Sequence, residues 1–206
     1  MSTTTILYLH GFRSSPASIK AGMLREAVER LPATERPRLH VPALDASPAN
    51  AMATTAEWIE THVSQPAESL TIIGSSLGGY YATWLAECFA CRGVMINPAI
   101  RPYDDLSPYV GPQVNLYTGE TFVVTERHFD ELRALSIPSV TNPERYLLLV
   151  QSGDEVLDYR EAVAFYRGSF QYVEGGGDHT FTTFASQIST ILRFAAVRLA
   201  VNEQRA

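Results

Sequence analysis

Gly74-Ser75-Ser76-Leu77-Gly78 sets a serine between two glycines in the pattern G-x-S-x-G. The pentapeptide follows a short apolar run, Leu70-Thr71-Ile72-Ile73, and precedes a helical stretch from Gly79 to Ala86. Strand, sharp turn and helix together make a nucleophile elbow, in which the serine projects from a strained turn above the sheet. The flanking glycines are a steric requirement, because a Cβ at either place would meet the neighbouring strand or helix. Ser76 is therefore read as the nucleophile of an acyl-transfer chemistry. A serine hydroxyl needs a base, and the base needs an orienting acid. In chains with this elbow the order is serine, acid, histidine.

The histidine is His179, in Gly175-Gly176-Gly177-Asp178-His179-Thr180-Phe181. Three glycines make a loop able to bring an imidazole back over the sheet; the plainer reading is a helix-start residue satisfied by local hydrogen bonds. The acid is expected in Gln151-Ser152-Gly153-Asp154-Glu155-Val156-Leu157-Asp158. Asp154, first after the glycine at a strand tip, is favoured. Asp158 better fits a helix N-cap before Tyr159 and Arg160. Glu155 is expected to face solvent, and Asp178 to orient its own loop. His10, His40 and His62 are weaker bases by position, and His128 lies where it is a candidate substrate contact. An oxyanion hole needs two backbone N–H groups. The expected pair is Leu77, at a helix start where the dipole adds to its effect, and Phe12, in the loop His10-Gly11-Phe12-Arg13.

Apolar runs alternate with longer amphipathic stretches, and that alternation predicts a parallel α/β sheet. Strands are expected near Thr4-Leu9, Leu39-Val41, Leu70-Ile73, Gly93-Asn97, Tyr146-Gln151 and Ser169-Val173. Helices are expected over Ser18-Leu31, Ala49-Val63 with Trp58 and Ile59 inward, the elbow helix, Tyr159-Tyr166 and Phe181-Val201. The expected architecture is six parallel strands with helices on both faces, in a single domain spanning residues 1–206. Residues 98–143 break the rhythm with several Pro and Gly and with Tyr103, Tyr109, Tyr117, Phe122 and Phe129. A long insertion after a strand's C-terminal end suits a small lid; the alternative is a flap that only covers the core edge. Within it, His128 to Leu135 has helical character.

Composition narrows the partners. The 206 residues carry a formal net charge of −6 with no Lys/Arg-rich block, so neither nucleic acid nor an anionic membrane is the expected partner. Met1-Ser2-Thr3-Thr4-Thr5 lacks a basic leader region, and Ile6-Leu7-Tyr8-Leu9 is too short to span a bilayer; a cytoplasmic protein is expected. Cys88 and Cys91 form a C-x-x-C near a helix C-terminus, where the dipole opposes thiolate formation. No second ligand pair stands at a zinc spacing. Both are read as buried, reduced structural thiols, and no metal is expected.

Tyr8-Leu9-His10-Gly11-Phe12, Gly74 through Leu85, and Ser152 through Arg160 resemble the YqiA-like bacterial esterases of the α/β-hydrolase superfamily. So do Asn97-Pro98-Ala99, Arg101-Pro102-Tyr103 and Tyr117-Thr118-Gly119, together with Glu174-Gly175-Gly176 and His179. One departure is an additional glycine and Asp178 before His179. The resemblance covers nearly the whole chain. It implies an α/β-hydrolase fold, a three-layer sandwich, and hydrolysis of small-molecule carboxylic esters, with acyl thioesters such as acyl-CoA as further substrates and no cofactor. On the residues alone, acyl transfer or amide hydrolysis on the same triad stays open, as does a non-catalytic ligand-binding module. The apolar insertion points to an acyl pocket with Tyr103, Tyr117 and Phe122, joined by Tyr80 and Tyr81 unless these are core. Arg13 or Arg101 is placed to hold an anionic leaving group, or is simply solvated. The expected assembly is a monomer or small homo-oligomer.

Overall fold

Strands buried on both faces read as unbroken apolar runs, and strands at a sheet edge do not. The computed structural model describes residues 4–197 and follows that rule. The strands are β1 (Thr5–Leu9), β2 (Arg38–His40), β3 (Leu70–Ser75) and β4 (Arg92–Ile96), then β5 (Gly111–Val114), β6 (Thr121–Val124), β7 (Tyr146–Gln151) and β8 (Phe170–Glu174). β1, β3 and β7 are buried at every residue, whereas β2 and β8 are half-exposed. The main sheet runs β2-β1-β3-β4-β7-β8. Each of its pairings is parallel, so the buried strands lie inside and the half-exposed ones at the edges.

The helices are α1 (Ile19–Glu29), α2 (Pro48–His62), α3 (Pro66–Ser69), α4 (Leu77–Phe89), α5 (Pro102–Asp105), α6 (Glu126–Ala134), α7 (Tyr159–Phe165) and α8 (Phe184–Phe194). Alternate side chains of a strand point to opposite faces, and two cores result. Ile6, Tyr8, Ile73 and Leu149 pack with Leu24 and Val28 of α1 and Phe184 and Ile191 of α8. Leu7, Leu9, Ile72 and Leu148 pack with Ile59 of α2, Leu85 of α4 and Phe129 and Leu132 of α6. Full burial of one such side chain stabilises by about 1.5–3 kcal/mol. Helix starts are chemically marked. Ser47 Oγ accepts from Asn50 N at α2, ahead of Pro48, and Asp158 caps α7 by accepting from Arg160 N.

Several expectations need correction. The last helix begins at Phe184, because Phe181 has φ 57° and breaks the earlier turn; residues 198–201 of the expected span lie outside the described residues. Ile59 is fully buried, while Trp58 is half-buried, packed against the same core and stacked between His40 and His62 with ring centroids at 3.9 and 4.9 Å. Only Cys91 is buried; Cys88 is exposed, and the two are unbonded. Burial pushes the Cys91 thiol up to about 12, and partial burial also raises Cys88. The insertion contains an antiparallel hairpin, β5–β6, followed by α6 where helical character was expected. His128 Nδ1 accepts from Thr125 N at 3.0 Å and takes the Glu/Gln place in a capping box. His128 is thus a helix cap, outside the walls of both clefts described below.

Candidate active site

The elbow is built by close backbone approach. A Cβ on Gly78 would overlap the Leu9 carbonyl of β1, and one on Gly74 would overlap the backbone of Gly78 and Gly79. With those contacts closed, Ser76 takes φ 56° and ψ −124° between β3 and α4. Such a conformation costs about 1–3 kcal/mol and persists only where surroundings over-determine it. Here Ser76 N donates to Ile96 O at 3.1 Å, and Ser76 O accepts from Gly79 N at 2.9 Å and Ala99 N at 3.1 Å.

His179 arrives from the loop after β8. Its Nε2 lies 3.0 Å from Ser76 Oγ, and its Nδ1 lies 2.9 Å from Asp154 Oδ2. Asp154 sits on the loop after β7, and its side chain is 2% exposed. Burial opposes its ionisation. The His179 hydrogen bond and the Leu157 and Val156 N–H groups, each 2.9 Å from Oδ1, outweigh burial and hold the carboxyl below its ordinary range. An ionised carboxylate only accepts, so Nδ1 carries the proton and Nε2 is left to accept from the Ser76 hydroxyl. His179 N also donates to Glu155 Oε2 at 3.0 Å. Glu155 is exposed, as expected, and its carboxylate anchors the histidine loop.

Two residues that the motif reading passed over set this loop. Asn97, at the tip of β4 with φ 39°, donates from Nδ2 to the Asp178 and His179 carbonyls at 3.0 and 3.2 Å. Its Oδ1 accepts from Gln151 N at 2.9 Å. Gln151 is fully buried; its Oε1 accepts from Asp178 N and its Nε2 donates to Thr183 Oγ1. The available signal was a polar residue ending each apolar run on the same side of the sheet.

The loop after β1 divides the surface around Ser76 into two lobes. One, about 430 Å³, is walled by Ser76, His179, Ile19, Met23, Leu116 and Tyr117. The other, about 630 Å³, is walled by Leu77, Tyr81, Phe122, Asp45, Glu120 and Thr121. Gly11, Phe12 and Arg13 border both. A Cβ on Gly11 would lie 3.1 Å from Ser76 Cβ, so the backbone that carries the Phe12 N–H passes close over the serine. Tyr117 and Phe122 line one lobe each. Tyr103 lines neither; the Arg133 guanidinium lies 5.6 Å from its ring centroid. Tyr80 is buried and donates to the Leu132 carbonyl, which makes it core. Arg101 is held by Glu161 at 2.8 Å. Lys20, absent from the expected site, borders the serine lobe and donates to Thr180 O at 2.7 Å. Burial lowers its pKa against the opposing charges of Asp178 and Asp154. His10 is 5% exposed, and burial lowers its pKa against the opposing hydrogen bond to Gly11 O.

A family model described as Uncharacterised protein family (UPF0227) matches residues 5–196. The chain belongs to this family. It is the YqiA group to which the motifs point. Solved structures share the fold. A putative hydrolase from Agrobacterium vitis S4 is 17% identical with TM-score 0.73, over 95% of this chain and 88% of that one. Alpha/beta hydrolase domain-containing protein 10 from mouse is 17% identical with TM-score 0.69, over 95% and 91%. The esterase domain of a Rhodothermus marinus protein is 17% identical with TM-score 0.67, over 93% and 86%. The fold is that of the α/β hydrolases. Among the described residues no helix is long and apolar enough to cross a membrane.

Proposed function

We propose that this chain is a serine hydrolase of small carboxylic esters, with acyl thioesters as a second leaving-group class. The observation that carries the reading is His179 bridging Ser76 and Asp154 at 3.0 and 2.9 Å. In the proposed reaction Ser76 Oγ attacks the acyl carbonyl as Nε2 takes its proton. Asp154 holds the imidazole and stabilises its cation. The N–H groups of Phe12 and Leu77 receive the oxyanion, the second at the positive end of α4. His179 returns the proton to the departing alkoxide or thiolate. Water then gives a proton to Nε2 as its oxygen bonds the acyl carbon, and Nε2 passes that proton to Ser76 Oγ as the acyl–Oγ bond breaks and the acid leaves.

The two lobes suit a substrate with groups on either side of the reacting carbonyl. The serine lobe offers Ile19, Met23, Leu116 and Tyr117 to apolar matter; the other offers Asp45, Glu120 and Thr121 beside Phe122. Residues of the 98–143 insertion wall both lobes, which supports a substrate-covering role for it within one catalytic domain. Arg13 borders both, yet its Nε is committed to the Val114 carbonyl at 3.0 Å, which leaves its terminal nitrogens for an anionic leaving group.

The test is labelling by a fluorophosphonate, followed by a panel of short esters and acyl-CoA thioesters. Wild type should label and turn over, and Ser76→Ala should lose both, with turnover down about 10⁶-fold. Turnover surviving in that variant would remove Ser76 from the chemistry.

A further inference from the structure

The loop that carries Phe12 is short of support from its own sheet. Arg13, next to Phe12, has φ 55°, a conformation disfavoured for any residue with a Cβ. What holds the loop is the hairpin, more than 100 residues later in the chain. Arg13 Nε donates to Val114 O at 3.0 Å, Leu116 N donates to Arg13 O at 2.8 Å, and Asn115 Nδ2 donates to Ser14 O at 2.7 Å. The Phe12 ring meets Tyr109 and Phe122 edge-on, with centroids at 5.5 and 5.9 Å. Residues 12–14 are therefore fastened to the hairpin by side chains and backbone alike.

Asn115 is the centre of this fastening. Its Oδ1 accepts from Tyr117 N and Thr118 N at 2.9 and 3.1 Å, and its own N donates to Glu120 O at 2.8 Å. One carboxamide thus shapes the hairpin turn with its oxygen and pins the Ser14 carbonyl with its nitrogen. We propose that Asn115 is a positioning residue. It acts through the Ser14 carbonyl to set where the loop presents the Phe12 N–H to the oxyanion. The inference rests on the esterase reading above. It also gives the insertion a second role. The element that walls both lobes sets the geometry of an electrostatic donor, so substrate pressing on the hairpin acts on that donor.

Asn115→Asp separates the two jobs of the side chain. A carboxylate keeps the acceptor for the turn, loses the donor to Ser14, and sets an oxygen against that carbonyl. Wild type, Asn115→Asp and Arg133→Ala are compared on a neutral p-nitrophenyl ester and with an alkyl trifluoromethyl ketone. That ketone adds Ser76 Oγ as a hemiketal whose oxyanion occupies the same hole. Arg133 pairs with Asp130 at 3.1 Å inside the insertion and lines neither lobe, so its variant is the control and should match wild type.

The expected result for Asn115→Asp is a loss of about 10²-fold in kcat, the cost of a displaced reacting geometry. KM should stay within about twofold, and ketone affinity should fall in step with kcat/KM, since both follow the oxyanion. A purely structural role would not move ketone affinity and KM apart. Should Asn115→Asp fold poorly, Arg13→Met removes the Val114 strut, keeps the Asn115 turn and is read in the same way on the neutral ester. Wild-type kcat in the tether variant, or a change confined to KM, overturns the proposal. Wild type inert to ester and ketone overturns the esterase reading, and that outcome is visible before any variant is made.

Discussion

Asp154 shows how a buried charge is kept. Its side chain is nearly inaccessible, which alone would favour the neutral acid. Hydrogen bonds from His179, Leu157 and Val156 reverse that preference. The folded chain therefore binds this proton less readily than the unfolded one. The stability that Asp154 contributes is complete above the ordinary carboxylate range and disappears as pH falls through the depressed folded value. Asp154→Asn should accordingly be less stable than wild type at neutral pH, with the gap closing as pH falls below the ordinary carboxylate range. Urea unfolding at a series of pH values reads this, and a gap that stays constant would mean the carboxylate is not held as described. On the proposed mechanism the same variant should lose about 10⁴-fold in kcat, because Asn allows the wrong imidazole tautomer. The three residues that meet at His179 were legible because each follows an apolar run and a glycine, a local signal. For Asn97 and Gln151 the ends of the apolar runs marked a position and no partner, and Asn115 carried no signal. Their partners lie 54, 27 and 101 residues away, and nothing in their immediate neighbours predicts those bonds.

Among elements, α4 and α1 contrast in how they tolerate a methyl group. Gly78 lies where α4 touches β1, and an added Cβ would overlap the Leu9 carbonyl. Gly78→Ala should destabilise by about 3 kcal/mol or more, as overpacking against backbone does. Gly22 lies within α1 with no atom within 4 Å of a built Cβ. Gly22→Ala should instead stabilise by about 0.5–1 kcal/mol through lower unfolded-state entropy. Urea midpoints of both variants check the pair, and a shift of the same sign in each would contradict this packing. The inner strands β1, β3, β4 and β7 could be read from sequence because burial on both faces leaves continuous apolar runs. The hairpin could not. Its strands are four residues each, Pro112 interrupts one, and Val114 and Val123 face solvent. Long-range bonds to the loop after β1 support it, and no periodicity of its own announces it.

For the molecule as a whole, the two thiols report different events. Cys88 is exposed on α4, whereas Cys91 lies at 0% exposure in the core shared by α2, α4, α6 and β7. With an aromatic disulfide reagent the native protein should show one reacting thiol per chain, and two in urea. The slow second reaction should vary with denaturant as global unfolding does. Two equally fast native thiols would mean that this core opens locally. Ser76 and His179 are separated by 103 residues, and the sheet is what brings them together. During synthesis at about 5–20 residues per second, a growing chain exposes the elbow about 5–20 s before the imidazole leaves the ribosome. Throughout that interval Ser76 lacks its imidazole partner. On the proposed mechanism a nascent chain is thus silent toward acyl esters, and reactivity switches on only when the last edge of the sheet docks.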